Sequence, residues 1–428
     1  MNLNITGQVI ARSKKVFYGW WVVMAGVVIS AFGAGTVFYG FSTFFNPMIA
    51  EFGWSRTAMS GVSSLSRLEG GLEGPIAGWL IDKFGARRIL FIGITIVGIG
   101  FIALWWVNSN ILSLYLIFGF LSIGYGLGYN SASQAAVAKW FIKKRGRALA
   151  FLMSGNGVGG AIFLPLIAFL ITEFGWRWAV IAIGVVTLAI PLPMSLLMKD
   201  SPEKMGLKPD GQEDPPEALS VEAESATEEV DFTVREALRT RSFWIFALAM
   251  LFRSAILSAI VIHQIPHLVD IGISYQTASA ALGLMVLISI PGRLLFGWLG
   301  DRFSKKVLVA LLCLMQGIGV FIFIQAHTLP LLYLYLVIYG LSYGGVIPLT
   351  IALRADLFGR RNFATISGLS MPISMIGTVT APLIAGYLYD TTKSYSVAFY
   401  IFMVMIIISG LLFLIIPRPS KRLRPATT

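Results

Sequence analysis

Long apolar runs separated by short polar stretches recur along the whole chain. A helix that crosses a bilayer needs about 20 mostly apolar residues, and the sequence contains twelve runs of about that length. They span residues 18–43, 57–81, 88–107, 111–138, 147–171, 177–198, 243–267, 276–300, 306–326, 330–353, 363–388 and 396–416. The pattern predicts an all-α integral membrane protein with twelve transmembrane helices.

A segment of different composition separates the sixth run from the seventh. Residues 199–241 are rich in proline and acidic residues and contain few aromatic ones, a composition typical of a solvated, mostly disordered linker. The sequence therefore predicts a six-helix bundle in residues 1–198, a cytoplasmic linker in 199–241 and a second six-helix bundle in 242–428.

The two halves share a short repeated segment. Residues 78–84 end the second run and residues 297–303 end the eighth, and five of the seven positions are identical. Many secondary transporters are built from two related halves around a central site. The repeat therefore predicts two pseudo-symmetric bundles and a transport function.

Basic residues are distributed unevenly between the two sides of the predicted membrane. The side that holds both termini and the linker carries 27 of the 33 lysines and arginines, whereas the other side carries only Arg56, Arg177 and Lys393. Positively charged loops stay in the cytoplasm. We therefore expect a multi-pass protein of the cell inner membrane with both termini cytoplasmic.

Composition excludes several other classes of protein. Hydrophobic residues make up 56 % of the chain and charged residues 13 %, about half the usual charged share of ~25 %. The net charge of +12 is spread over short clusters between apolar runs, unlike the basic face of a nucleic-acid-binding protein. With one cysteine and no metal-binding, nucleophile or phosphate-loop motif, we expect no enzyme, no cofactor, no metal and no nucleic-acid partner.

One loop pattern carries a family resemblance. It comprises Gly78, Asp82, Gly85, Arg87 and Arg88 after the second run, and in a weaker copy Gly297, Asp301 and Arg302 after the eighth. This pattern resembles the loop signature of the major facilitator superfamily. The glycine permits close helix packing, and the aspartate and basic residues can form a charged latch at the cytoplasmic end. A plain positively charged loop is the alternative interpretation.

Further segments resemble one branch of that superfamily. They are the opening of the first helix at residues 18–23, the glycine-rich stretch at 124–130, and the basic stretch at 139–150. Their order and spacing are similar to those of the monocarboxylate transporters and the oxalate:formate antiporters. The resemblance implies the major facilitator fold and a small organic anion as substrate.

Arg67, Arg253 and Arg293 lie inside predicted membrane helices, where a charge costs at least about 2.5–3.5 kcal/mol. Arg293 lies about 12 Å from the cytoplasmic end of its helix, close to the membrane centre. The resemblance implies that an arginine of this helix binds the substrate carboxylate, which a guanidinium grips with two parallel hydrogen bonds. A salt bridge to a buried carboxylate is the alternative role.

Glu69 and Glu73 are four residues apart and share one face of the second helix. Burial favours the protonated form of a carboxylate, so both are candidates for proton coupling. The alternative is a structural charge network with Arg67 or Arg253.

His263 and several polar residues are further candidates. Histidine exchanges protons near neutral pH and the resemblance places a histidine near the cavity, so His263 is a substrate-binding and proton-coupling candidate, with a packing role as the alternative. His267 is expected to meet external water. The hydrogen-bonding candidates are Tyr129, Asn130 and Tyr343, which follow glycine-rich turns, and Tyr39, which replaces the first-helix lysine of animal monocarboxylate transporters.

These features predict a secondary transporter that works by alternating access. The expected substrate is a small organic anion, above all a monocarboxylate such as lactate or pyruvate, coupled to protons or exchanged for another anion. We expect the protein to function as a monomer. Besides its substrate, its expected partner is membrane lipid. The alternative is efflux of neutral or drug-like metabolites through a larger, aromatic pocket without an anion site.

Overall fold

The computed structural model of the protein describes residues 17–141, 145–202, 205–208, 232–359 and 363–417. Within these ranges the chain is helical and contains no strand. The α-helices are α1 Tyr18–Phe32, α2 Phe41–Phe52, α3 Arg56–Phe84, α4 Ala86–Ala103, α5 Ile111–Tyr125, α6 Ser133–Trp140, α7 Arg145–Phe174, α8 Trp176–Ala189, α9 Pro191–Leu197, α10 Val234–Arg239, α11 Arg241–Asp270, α12 Tyr275–Gly300, α13 Lys305–Ile324, α14 Leu329–Phe358, α15 Phe363–Thr392 and α16 Ser396–Ile415.

Several of these helices join end to end, so the described chain forms twelve long rods. The π-helical turns Gly33–Phe38 and Gly126–Ala132 join α1 to α2 and α5 to α6. Within the described residues, eleven of the twelve rods are long and apolar enough to cross a membrane. In α3, the remaining rod, the side chains of residues 68–76 lie outside the described residues. The predicted twelve-helix membrane fold is confirmed.

Local capping explains where several rods begin. Ser55 accepts a hydrogen bond from the backbone N–H of Ala58 at the start of α3, at 3.1 Å, and Thr240 accepts one from Phe243 at the start of α11, at 3.2 Å. Such side chains satisfy N–H groups that have no partner inside the helix. The two loops therefore fix the ends of the helices that carry Arg67 and Arg253.

The two bundles meet along α3 with α15 and α7 with α12. Gly283 on α12 permits the second contact, because a Cβ atom there would lie 2.7 Å from the backbone oxygen of Gly160 on α7. We call the end that holds the loops at 53–55, 271–274 and 393–395 the distal end, and the end that holds Phe17 and Pro417 the terminal end.

Most of the predicted linker lies outside the described residues. Its last part, from Phe232, packs on the second bundle, where the backbone N–H of Phe232 donates to the oxygen of Phe358 at 3.2 Å. The short helix α10 follows and begins with a capping box between Thr233 and Glu236. This last part of residues 199–241 therefore contains a short helix and contacts the second bundle.

Candidate functional site

A pair of buried tyrosines joins the two bundles near the middle of the molecule. The hydroxyl of Tyr39, just after the first π-helical turn, lies 3.3 Å from the hydroxyl of Tyr343 on α14. The two side chains are 3 % and 6 % exposed. This places two of the predicted binding residues in contact at the centre of the protein.

The three intramembrane arginines lie near this tyrosine pair. Arg67 and Arg293 lie within electrostatic range of Tyr39, and Arg67 and Arg253 lie within range of Tyr343. The guanidinium carbon of Arg67 lies 4.6 Å from the ring centre of Phe38. Helix α3 of the first bundle and helices α11 and α12 of the second therefore each place an arginine near the tyrosine pair.

These three arginines have few hydrogen-bond partners and no ion-pair partner within the described part of the chain. The Nε atom of each of Arg67, Arg253 and Arg293 is buried without a hydrogen-bond partner. Arg293 makes one hydrogen bond, from Nη2 to the hydroxyl of Ser289, at 3.3 Å, and no described carboxylate forms an ion pair with any of the three. The side chains of Glu69 and Glu73 lie outside the described residues, so their predicted roles are not tested.

A polar cleft in the first bundle lies near Arg67. Its polar lining comprises Ser30, Tyr125, Tyr129, Gln134 and Asn156. The rings of Tyr125 and Tyr129 stack with centres 5.8 Å apart, and Tyr125 also lies within electrostatic range of Arg67. Tyr129 thus lines a polar cleft as well as packing in the core, while the side chain of Asn130 lies outside the described residues.

An ion pair between the bundles closes the distal end. The guanidinium of Arg56 donates two hydrogen bonds to the carboxylate of Asp270, both at 2.7 Å. It also donates to the hydroxyl of Tyr395 at 2.8 Å and lies 3.6 Å from the ring centre of Tyr389. Because Arg56 belongs to the first bundle and its partners to the second, this contact must break before the distal end can open.

Asp390 adds a second connection at the same place. Its carboxylate accepts from the backbone N–H groups of Arg56 and Thr57 at 3.0 and 2.9 Å, and from the Thr57 hydroxyl at 2.5 Å. The acceptor stands at the positive N-terminal end of α3, where a negative charge is stabilised. The start of α3 is thereby fixed to α15.

His263 belongs to this distal closure. Its Nδ1 lies 3.0 Å from the Tyr395 hydroxyl, and its Nε2 lies 3.0 Å from the oxygen of Pro382 and 3.3 Å from the hydroxyl of Ser60. A neutral ring that donates from Nε2 to the carbonyl and accepts at Nδ1 satisfies both nitrogens. The expectation for His267 is wrong: it is 3 % exposed and packs against the rings of Phe323 and Phe399, because α11 is covered at that level.

The loop signature lies at the terminal end. In its first copy Gly85 adopts a φ of 88° and the backbone N–H of Arg87 donates to the carboxylate of Asp200 at 3.0 Å. The Arg88 side chain is exposed, and the side chain of Asp82 and the packing of Gly78 lie outside the described residues. This copy therefore ties the α3–α4 loop to the end of the sixth rod.

The second copy differs from the expectation in one respect. A Cβ atom at Gly297 would meet no heavy atom within 4 Å, so close helix packing is not the role of this glycine here. Asp301 is exposed, and the Arg302 guanidinium lies 4.0 Å from the ring centre of Trp298. Next to this loop, at the start of α13, Lys305 forms an ion pair with Asp356, at 2.7 Å.

Sequence reasoning missed the partners of the distal closure. Asp270, Asp390 and Tyr395 all lie at helix ends, where a charged or polar residue ordinarily faces water. Each is far from Arg56 in sequence, so only the assembled fold shows the contact. The sequence feature that could have indicated this contact was Arg56, a single charged residue at the edge of an apolar run.

Comparison with known proteins agrees with this architecture. The sequence profile of the Major Facilitator Superfamily matches residues 27–269 and 260–428. Monocarboxylate transporter 12 of Mus musculus is 26 % identical over 418 residues, which cover 92 % of this chain and 85 % of that protein. The uncharacterised MFS-type transporter YcxA of Bacillus subtilis is 26 % identical over 398 residues, which cover 88 % of this chain and 90 % of the relative.

Two solved structures share the fold. A bacterial homologue of the human lysosomal transporter Spinster, inward-facing and unoccupied, superposes with a TM-score of 0.72 at 16 % identity over 95 % of this chain and 98 % of that one. The nucleoside transporter NupG superposes with a TM-score of 0.74 at 12 % identity over 94 % and 100 % of the chains. Since the family profile covers residues 27–428, the resemblance noted in the sequence is confirmed. The protein belongs to the major facilitator superfamily and is a multi-pass membrane transporter, not an enzyme.

Proposed function

We propose that the protein transports a small organic anion whose carboxylate binds to Arg293 between the two bundles. The observation that carries this proposal is a guanidinium near the membrane centre whose Nε has no partner, beside the Tyr39–Tyr343 pair. An unpaired buried cation is costly, and a bound carboxylate removes that cost. The relatives named monocarboxylate transporters make lactate and pyruvate the first substrates to test.

The proposed cycle is alternating access between the bundles. In the conformation described here the distal end is closed by the Arg56–Asp270 ion pair, so substrate would exchange through the terminal end. Under the proposed topology, with both termini cytoplasmic, a conformation that is closed at the distal end belongs to the inward-facing half of the cycle. A single polypeptide supplies both bundles, so the functional unit is a monomer.

Coupling to a proton or to a counter-anion completes the proposal. Glu69 and Glu73 remain the proton-coupling candidates of α3. His263, hydrogen-bonded on both ring nitrogens within the distal closure, would sense a proton by changing the closure and not by touching substrate. Transport into proteoliposomes with and without an imposed pH gradient distinguishes proton coupling from anion exchange.

The deciding experiment is lactate binding to purified wild-type protein and to Arg293→Lys. Lysine keeps the charge but loses the two-pronged guanidinium, so affinity should fall about 10- to 100-fold, the worth of one or two hydrogen bonds to a charged group. Arg302→Lys is the matched control, since Arg302 lies at the terminal end on Trp298. Unchanged lactate affinity in a folded Arg293→Lys protein would reject Arg293 as the carboxylate ligand, and a folded wild-type protein that binds no lactate would favour efflux of neutral compounds.

A further inference from the structure

Arg67 on α3 is a second guanidinium of the central region, in the opposite bundle from Arg293. Its side chain is partly exposed and lies about 16 Å from the start of its helix. It also lies within electrostatic range of the buried Tyr39 and Tyr343, so it faces the interior of the molecule. It donates no hydrogen bond to a described residue, and its Nε is buried without a partner. Its one described contact is the face of the Phe38 ring, which leaves the hydrogen-bonding edge available.

The helix register keeps the acidic positions of α3 away from Arg67. Positions 69 and 73 are about 200° and 240° around the helix from position 67, at about 100° per residue. The positions that share the face of Arg67 are three and four residues away, and they are occupied by Ser63, Ser64, Gly70 and Gly71. No acidic position of α3 within one turn of Arg67 therefore shares its face of the helix.

Neighbouring contacts hold Arg67 next to the polar cleft. The Ser122 hydroxyl on α5 donates to the hydroxyl of Ser66 at 2.7 Å, and one turn further along α5 stands Tyr125, which lines the cleft. Phe38, under the guanidinium, packs edge-on against Tyr39 with ring centres 4.9 Å apart. Arg67 thus lies within electrostatic range of Tyr125 in the cleft and of the tyrosine pair, and Arg293 lies within range of Tyr39 in the same pair.

We infer that Arg67 is a second anion-binding residue of the substrate site, so that the transporter prefers a small dicarboxylate to the monocarboxylate of equal chain length. This inference rests on the proposed function, because it takes Arg293 as the ligand of the first carboxylate. The second carboxylate binds Arg67, with the Tyr39 and Tyr343 hydroxyls between the two. A monocarboxylate satisfies one guanidinium and leaves the other unpaired.

The test is binding of succinate and butyrate, which share a four-carbon chain and differ by one carboxylate. Wild-type protein should bind succinate at least about tenfold more tightly, since a hydrogen-bonded charge pair is gained. In Arg67→Gln succinate affinity should fall about 10- to 100-fold while butyrate affinity changes less than about threefold. Arg354→Gln is the matched control, because Arg354 also lies over an aromatic ring, Phe246, at 4.9 Å, but at the terminal end of α14.

Each outcome separates this inference from the proposed function. Equal wild-type affinities, or equal losses of both ligands in Arg67→Gln, would overturn the role of Arg67 and leave Arg293 as the carboxylate ligand. Butyrate binding that is unaffected by Arg293→Lys would instead reject the proposed function. If Arg67→Gln does not fold, Arg67→Lys must still reduce the preference for succinate over butyrate, and an unchanged preference would refute the inference.

Discussion

Removing the guanidinium of Arg56 should open the distal end. Arg56→Gln eliminates two hydrogen bonds to Asp270 and one to Tyr395 and the stacking on Tyr389. All of these contacts cross between the bundles, so they stabilise only the conformation that is closed at the distal end. The substitution therefore changes the conformational equilibrium and leaves each bundle intact.

The size of the change in the conformational equilibrium depends on how exposed the Arg56–Asp270 ion pair is. Hydrogen bonds to charged groups contribute about 1.5–3 kcal/mol when buried, but the side chains of Arg56 and Asp270 are 12 % and 26 % exposed, and an exposed ion pair is worth about 1 kcal/mol or less. Stacking of the cation on a ring adds about 0.5–1 kcal/mol. A total of about 2 kcal/mol changes the equilibrium about 30-fold, which would raise a distal-open population of about 1 % to about a quarter.

Double electron–electron resonance can measure this change in lipid nanodiscs. Spin labels at Ser109→Cys and Thr328→Cys report the distance between the bundles at the distal end, in a background in which Cys313, the one cysteine of the chain, is alanine. Arg177→Gln is the matched control, because Arg177 pairs with Glu51 inside the first bundle, at 2.5 Å. A distance distribution that is unchanged in Arg56→Gln, or that changes equally in Arg177→Gln, would refute the reasoning.

Two further predictions concern orientation and packing. With cytoplasmic termini, a membrane-impermeant thiol reagent should label Met205→Cys only in inside-out vesicles and Ser109→Cys only in right-side-out vesicles, and the reverse pattern would invert the topology. Gly344→Ala should lower stability by about 1–3 kcal/mol, because its Cβ atom would collide with the backbone oxygen of Ser289 on α12. Gly297→Ala, where a Cβ atom meets nothing within 4 Å, is the control in thermal unfolding, and equal melting temperatures for the two variants would contradict the packing argument.

The number of membrane helices was predictable because each run only has to be long and apolar enough to span lipid. Helix ends were less predictable. The first run was expected to end at residue 43, yet its rod continues to Phe52. Asn46, Pro47 and Glu51 interrupt the apolar pattern there, while Phe44, Phe45 and Met48 remain buried, so packing against the other helices overrides the local composition.

The central arginines could be found from sequence since a charge inside a membrane is costly wherever it lies. Their common neighbourhood could not, because it depends on how α3, α11 and α12 approach the tyrosine pair. The distal ion pair was missed for the same reason: Arg56 and Asp270 are 214 positions apart. The position of His263 in the distal closure likewise depends on Tyr395 and Pro382, which belong to other helices or loops.

The π-helical turns in the first and fourth rods have a consequence for how the site evolves. A π turn closes its hydrogen bonds over five residues, as the backbone N–H of Tyr39 does with the oxygen of Ala34 at 2.9 Å, and so it accommodates one residue more than an α-helical turn. That extra residue rotates everything after it by about 100°. The direction in which Tyr39 points is therefore determined by chain length as well as by side-chain identity, so a single-codon insertion or deletion at residues 33–38 would separate Tyr39 from Tyr343 in one step.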